Sequence, residues 1–174
     1  VRQPCPRPLR IYSYPSFLTR PSETLRTLLE SIPVADNDRA QAELFQHAVY
    51  DYMTYETGVT NIRTTAAEAA LCRKGVCQDF THIFLALCRM RRISARYVSG
   101  LPVGEGASHA WAEIWYEGRW YGIDATRNCP AGETYLKFCS GRDFIDCPIE
   151  QGVFWGSGTQ AQEVYTRMDD VTDA

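Results

Sequence analysis

Three residues far apart in the chain have types that could act together: Cys77, His109 and Asp124. Cys77 lies in KGVCQDFTHIFLALC, residues 74–88, where a glycine is followed by a run of helical spacing. A cysteine in the middle of a helix is ordinary core. A cysteine at a helix start meets unpaired backbone N–H groups and the positive end of the helix dipole, which favour thiolate. Such a thiolate can attack a carbonyl carbon if a base and an orienting carboxylate stand beside it.

Strand patterns supply both partners. His109–Tyr116 alternates with period 2, and Trp120–Ala125 reads as the next strand. Glu117-Gly118 between them reads as a two-residue hairpin turn. Tyr116 then faces Arg119, and paired residue numbers sum to 235. Trp111 falls opposite Asp124, and His109 opposite Thr126. Residues two apart on a strand share a face. His109, Trp111 and Asp124 therefore point the same way, and His109 and Asp124 become diagonal neighbours, roughly 7–8 Å apart. If the helix at 77–91 packs on this face, the three residues form a Cys-His-Asp triad. Cys77 attacks, His109 moves the proton, and Asp124 fixes and stabilises the imidazolium. The backbone N–H of Cys77 is the first oxyanion donor, and the Tyr55 hydroxyl is a candidate second one.

The elements that must position these residues follow from the remaining pattern. Residues 1–21 hold five of the nine prolines and read as an extended arm. Ser22 is an N-cap for a helix ending near Ser31. Asp36-Asn37-Asp38 opens a helix over about 39–54, with a stripe of Leu44, Ala48, Tyr52 and Tyr55. Thr65 to Glu68 fits a capping box, with a short helix running to Arg73 and a stop at Gly75. The 77–91 helix shows Phe80, Ile83, Phe84 and Leu87 on one face. Strands follow at Ile93–Leu101 and, after the hairpin, at Tyr135–Cys139, Gly152–Trp155 and Gln162–Met168. Helices first and strands afterwards predict an α+β fold with an antiparallel sheet. Residues 1–35 read as an arm and first helix, and 36–174 as the catalytic domain of a single globular unit. His47 and His82 read as structural, Trp111, Trp115 and Trp120 as sheet-packing aromatics, and Cys72 and Cys88 as core.

Composition narrows the function classes. The chain has 174 residues, 45% of them hydrophobic, and a net charge of -3. It is long enough for one folded core, and its acidic balance speaks against nucleic-acid binding. No apolar run approaches the roughly 20 residues of a membrane span. Seven cysteines cannot all pair within one chain, and a domain of this size needs no disulfide framework, so a reducing, cytoplasmic setting is expected. No C-x2-C pair exists, and Cys77 and His82 would lie about 140° apart on a helix. Neither a metal nor another cofactor is expected.

The segments TTAAEAALCRKGVCQDFTHIFLALCRM, ISARYVSG, SHAWAEIWYEGRWYGIDATRN and GRDFIDCPIEQGVFWGSGTQ together resemble the bacterial transglutaminase-like domain family. The resemblance spans about residues 40–168. It implies a papain-like transglutaminase core, with the cysteine of GVC, the histidine of SHAW and the following aspartate as the catalytic triad. These are Cys77, His109 and Asp124. Arg92 and Ser94 stand where the family has glycine and proline, and the β-rich domain that family members often carry upstream has no counterpart among the 35 or so residues before the core. The expected activity is cysteine-dependent hydrolysis of a peptide or protein amide through a thioester. Acyl transfer to an amine and a binding module without turnover are the alternatives.

Overall fold

The computed structural model describes residues 6–149, 155–157 and 165–169. Two 3-10 turns, Arg7–Ser13 and Phe17–Thr19, open it. Helix α1 (Glu23–Glu30) and helix α2 (Asp38–Tyr52) follow, then strand β1 (Thr54–Tyr55), helix α3 (Ala66–Cys72), strand β2 (Lys74–Gly75) and helix α4 (Cys77–Met90). The strands come next: β3 (Ala95–Pro102), β4 (Gly104–Gly106), β5 (His109–Tyr116), β6 (Arg119–Asp124), β7 (Cys129–Ala131), β8 (Tyr135–Gly141) and β9 (Thr166–Met168). The fold is α+β, with helices packed on a five-stranded antiparallel sheet of order β7-β6-β5-β3-β8. No described helix is long and apolar enough to cross a membrane.

Local chemistry explains the helix boundaries. The Ser22 hydroxyl accepts from Leu25 N–H, and Asn37 Oδ1 accepts from Ala40 N–H, so both residues are N-caps. The Thr65/Glu68 capping box forms as its spacing predicts. The core face of α2 is Ala42, Phe45 and Val49, one position round from the expected stripe. Leu44, Ala48 and Tyr52 flank that face, and Tyr55 lies beyond the helix, on β1.

α4 is the central helix, and twelve of its fourteen residues are buried. Phe80, Ile83, Phe84 and Leu87 are each almost fully buried, which stabilises the fold by about 1.5–3 kcal/mol per side chain. Burial reaches all round the helix because different layers cover it. The sheet layer comprises Ala95, Tyr97, Ala110, Ala112, Ile114 and Ile123, and the helical layer includes Leu25, Phe45, Val49 and Ala69.

A buried cation ties the N-terminal segment to this helix. Arg89 is 1% exposed. Its Nε donates to Tyr12 O at 3.3 Å, its Nη1 to Ser16 Oγ at 3.0 Å and to Thr19 Oγ1, and its Nη2 to Ala95 O at 3.3 Å and to Arg142 O. Burial pulls its pKa down to about 10, against the opposing charge of Asp143. The proline-rich arm is therefore two docked 3-10 turns rather than an extended strap. Each turn presents oxygens that a buried guanidinium needs.

The hairpin register is the expected one, from Tyr116↔Arg119 to Ala112↔Ile123. Glu117 and Gly118 have φ of 48° and 84°. Positive φ at both central residues is the turn that suits strand twist. Tyr135–Cys139 lies within β8, Thr166–Met168 alone forms a described strand in the 162–168 region, and 152–154 fall outside the described residues.

Candidate active site

The start of α4 is built by its neighbours. β1 and β2 run parallel, with Glu56 N–H donating to Gly75 O at 2.9 Å. Asp79 folds back so that its Oδ2 accepts from Val76 N–H at 2.8 Å and from Thr60 Oγ1 at 2.7 Å. A Cβ on Gly75 would lie 2.3 Å from that oxygen, so only glycine fits before the helix. Burial raises the Asp79 pKa, and these two hydrogen bonds oppose the rise. Cys77 is thereby fixed at the first helical position, half-buried.

His109 is the first residue of β5, opposite Gly100 of β3. A Cβ on Gly100 would stand 2.1 Å from Leu136 O and 2.5 Å from Trp111 Cη2. The bare backbone there lets Trp111 lie flat against β3. The residues of β5 that face α4 are Ala110, Ala112 and Ile114. By alternation, His109, Trp111 and Asp124 belong to the other face. The helix thus packs on the face opposite to the one expected. The His109 ring instead meets Cys77 at the strand's end, where a terminal residue reaches past the sheet to the start of the helix.

Asp124 is fully buried and holds the ring. Its Oδ2 lies 2.7 Å from His109 Nε2 and accepts from the Tyr135 hydroxyl at 2.9 Å. Its Oδ1 accepts from the N–H groups of Thr126 and Arg127 at 2.9 and 3.1 Å. Burial alone would raise this carboxyl, but the His109 hydrogen bond and charge, with the other donors, hold it below the usual value. With Nε2 on the carboxylate, Nδ1 is left for the Cys77 sulfur, and both side chains line the same clefts. Burial opposes the His109 imidazolium, yet the Asp124 and Cys77 bonds prevail and raise its pKa to about 9.

Two clefts meet at Cys77 and His109. A larger one of about 610 Å³ is walled by Tyr97, Leu101, Phe138, Phe144 and Ile149. A smaller one of about 200 Å³ runs along Gly104, Gly106, Ser108 and Arg127. Tyr55 and Thr166 line both.

The pattern that defines the Transglutaminase-like superfamily matches residues 26–125. The chain belongs to this superfamily. An uncharacterized protein of Mycobacterium tuberculosis is 33% identical over 163 residues, which cover 84% of this chain and 47% of the relative. One of Mycobacterium leprae is 34% identical over 126 residues, covering 67% and 45%. The chain thus spans about half the length of these relatives. A crystal structure of a candidate cysteine protease from Cytophaga hutchinsonii superposes with a TM-score of 0.76 at 28% identity, covering 83% of this chain and 50% of that one. Legionella pneumophila LapG shares the fold, with a TM-score of 0.53 at 15% identity over 77% of this chain and 82% of its own.

Within this transglutaminase-like frame the other expected site residue is also near. Tyr55 is carried to the head of α4 by the β1–β2 pair, and its pKa is raised by burial and then by the charge of Cys77. Tyr135 and Arg127 were not foreseen as site residues. Tyr135 read only as the start of a strand, and Arg127 was not singled out. Their roles come from a carboxylate that gathers four donors, which no linear spacing displays. Cys88 is buried as expected, but Cys72 is exposed, because α3 turns its last residue outward. His82 is fully buried and His47 exposed. Trp115 and Trp120 stack edge-to-face across β5 and β6, 5.4 Å apart. Among the described residues no three His, Cys, Asp or Glu side chains are placed to hold a metal ion.

Proposed function

We propose that this domain cleaves an amide bond in a peptide or protein through a thioester on Cys77, with His109 and Asp124 completing the triad. One observation carries the reading: the buried Asp124 carboxylate stands 2.7 Å from His109 Nε2, and the ring shares both clefts with Cys77 at the start of α4.

In the first half, Cys77 Sγ attacks the substrate carbonyl carbon. The resulting oxyanion takes hydrogen bonds from the Cys77 N–H and the Tyr55 hydroxyl. His109 then gives its Nδ1 proton to the departing amine as the C–N bond breaks. In the second half, a water on the same side loses a proton to His109 and attacks the thioester. The acid departs and the thiol is restored. Asp124 stays ionised throughout and stabilises the imidazolium.

Water is favoured over an amine as the second nucleophile by charge. An amine arriving as ammonium through the smaller cleft would meet His109 and Arg127, with no carboxylate among the described side chains lining it.

The test is a trapped adduct. Glutamine- and peptide-based electrophiles are incubated with the protein, and the modified residue is located by mass spectrometry. An adduct on Cys77 that disappears in His109→Gln is expected. An adduct confined to another cysteine, or one indifferent to His109, overturns the assignment. With a substrate in hand, release of free acid rather than incorporation of a labelled amine separates hydrolysis from transfer.

A further inference from the structure

The two clefts differ in chemistry. The larger is walled by aromatic and aliphatic side chains and suits an apolar stretch of substrate. The smaller is mainly polar, and its only charged side chains among the described residues are His109 and Arg127. Its lining includes Gly104 and Gly106, whose φ of 119° and 149° favour glycine.

Arg127 is held at its backbone, and its side chain reaches the cleft half-exposed. The turn after β6 is pinned by the Thr126 and Arg127 N–H bonds to Asp124 Oδ1 and by Gln46 Nε2 on Asn128 Oδ1 at 3.0 Å. Arg127 Nε stands 3.9 Å from Asp124 Oδ2, and its guanidinium lies 5.9 Å from the centre of the Tyr135 ring. The side chain is still 49% exposed, and its Nη amines donate no hydrogen bond to a described residue. Asp124 is already satisfied by His109, Tyr135 and two backbone donors. The guanidinium is therefore half-exposed at the cleft, and its planar fork can take a carboxylate in a two-pronged bond.

We infer that the smaller cleft is a carboxylate subsite. Arg127 selects substrates that carry an acidic side chain or a chain-terminal carboxylate beside the amide to be cut. This rests on Cys77 being the nucleophile, and it adds a substrate class to that reading.

The experiment needs no known substrate. Cys77 is modified with 2-carboxyethyl, 2-aminoethyl and methyl methanethiosulfonate. In each case the sulfur attacks the reagent's divalent sulfur, methanesulfinate leaves, and a mixed disulfide forms. Rates at Cys77 are followed by peptide mapping and divided by those of N-acetylcysteine amide. The carboxyethyl-to-aminoethyl ratio should exceed that of the free thiol by about tenfold or more, since a hydrogen bond to a charged group is typically worth that much. In Arg127→Gln the carboxyethyl-to-methyl ratio should fall about tenfold, and in Arg127→Lys it should fall part of the way, because an ammonium keeps the charge but not the two-pronged geometry. An unchanged ratio in Arg127→Gln overturns the subsite, including the case where all three reagents slow equally because Arg127 serves only Asp124. If methyl methanethiosulfonate modifies Cys77 no faster than Cys72, the nucleophile reading fails instead, and the two failures are distinct. Protection of Cys77 by acetyl-Gln-Glu-amide but not by acetyl-Gln-Ala with a free terminus assigns a side-chain carboxylate. The reverse assigns a chain terminus, and protection by neither overturns the subsite.

Discussion

His82 and His109 are both largely buried, and their chemistry is opposite. His109 is raised to about 9, whereas His82 is pushed down to about 3. Burial disfavours the imidazolium at both sites and is the largest influence at both. The difference lies in what each ring touches. His109 has a carboxylate at 2.7 Å and the charge of Cys77 beside it. His82 Nε2 accepts the Phe144 N–H at 3.3 Å, a bond available only to the neutral ring, and its Nδ1 has no partner among the described residues. The Asp143 charge favours the His82 imidazolium, the buried Arg89 opposes it, and neither rescues it from burial. Depth alone does not make a buried histidine a base; a direct hydrogen bond to an anion does.

The sharpest way to break this contrast is to remove each ring in turn. His109→Gln should slow Cys77 alkylation and any turnover by about 10³–10⁴-fold, within the range for loss of general acid–base help. His82→Gln should leave both within about threefold of wild type, because its ring touches no reacting group. Comparable losses in the two variants would erase the distinction.

Asp124→Asn comes next. It keeps the shape but removes the charge that favours the imidazolium. Activity should drop on the order of 10²–10³-fold with the fold retained. The His109 titration, followed by NMR of the ring protons, should move down from about 9. A titration that stays in place would mean that Asp124 is not what raises it.

Tyr135→Phe tests the layer behind. Its hydroxyl donates to the same oxygen that holds His109. Losing one donor to a buried charge should cost about 1.5–3 kcal/mol of stability and about tenfold in rate. Full activity with unchanged melting would make Tyr135 a packing residue only.

The smallest effect is in the pH profile of stability. The folded value of His109, about 9, lies above the unfolded value near 6.5. Its contribution is complete below about pH 6.5 and is lost as pH rises through about 9. The folded value of His82, about 3, lies below the unfolded one. The unfolded chain takes up that proton first, so stability falls as pH drops from about 6.5 toward 3. Thermal melts across pH should show His109→Gln flattening the alkaline limb and His82→Gln the acid limb. Both variants altering the same limb would contradict the assignment.

Much of this arrangement was legible in the sequence, and for definite reasons. Helix starts are written locally by Ser22, Asn37 and the Thr65/Glu68 pair, and the hairpin register follows from Glu117-Gly118 and the alternation on either side. Those rules are short-ranged, and they sufficed to bring His109 and Asp124 onto one face. What escaped was long-ranged. Which face of β5 would meet α4 depended on Ala110, Ala112 and Ile114 outcompeting Trp111, and small alanines gave no sign of a core. β4 and β9 pair across some 60 positions through three-residue strands too short to carry a pattern. Arg89, within ALCRMRR, looked like any cation near a helix end.

That arginine has a consequence for the order in which the molecule comes apart. A guanidinium surrounded by oxygens from residues 12, 16, 19, 95 and 142 cannot lose one group of partners without stranding a charge in the core. The N-terminal turns and α4 are thereby joined into one opening unit. In amide exchange, the slow protons of α4 and those of Leu18 and Thr19 should share a single opening free energy, and a protease that cuts near Tyr14 should loosen a helix whose far end carries Cys77.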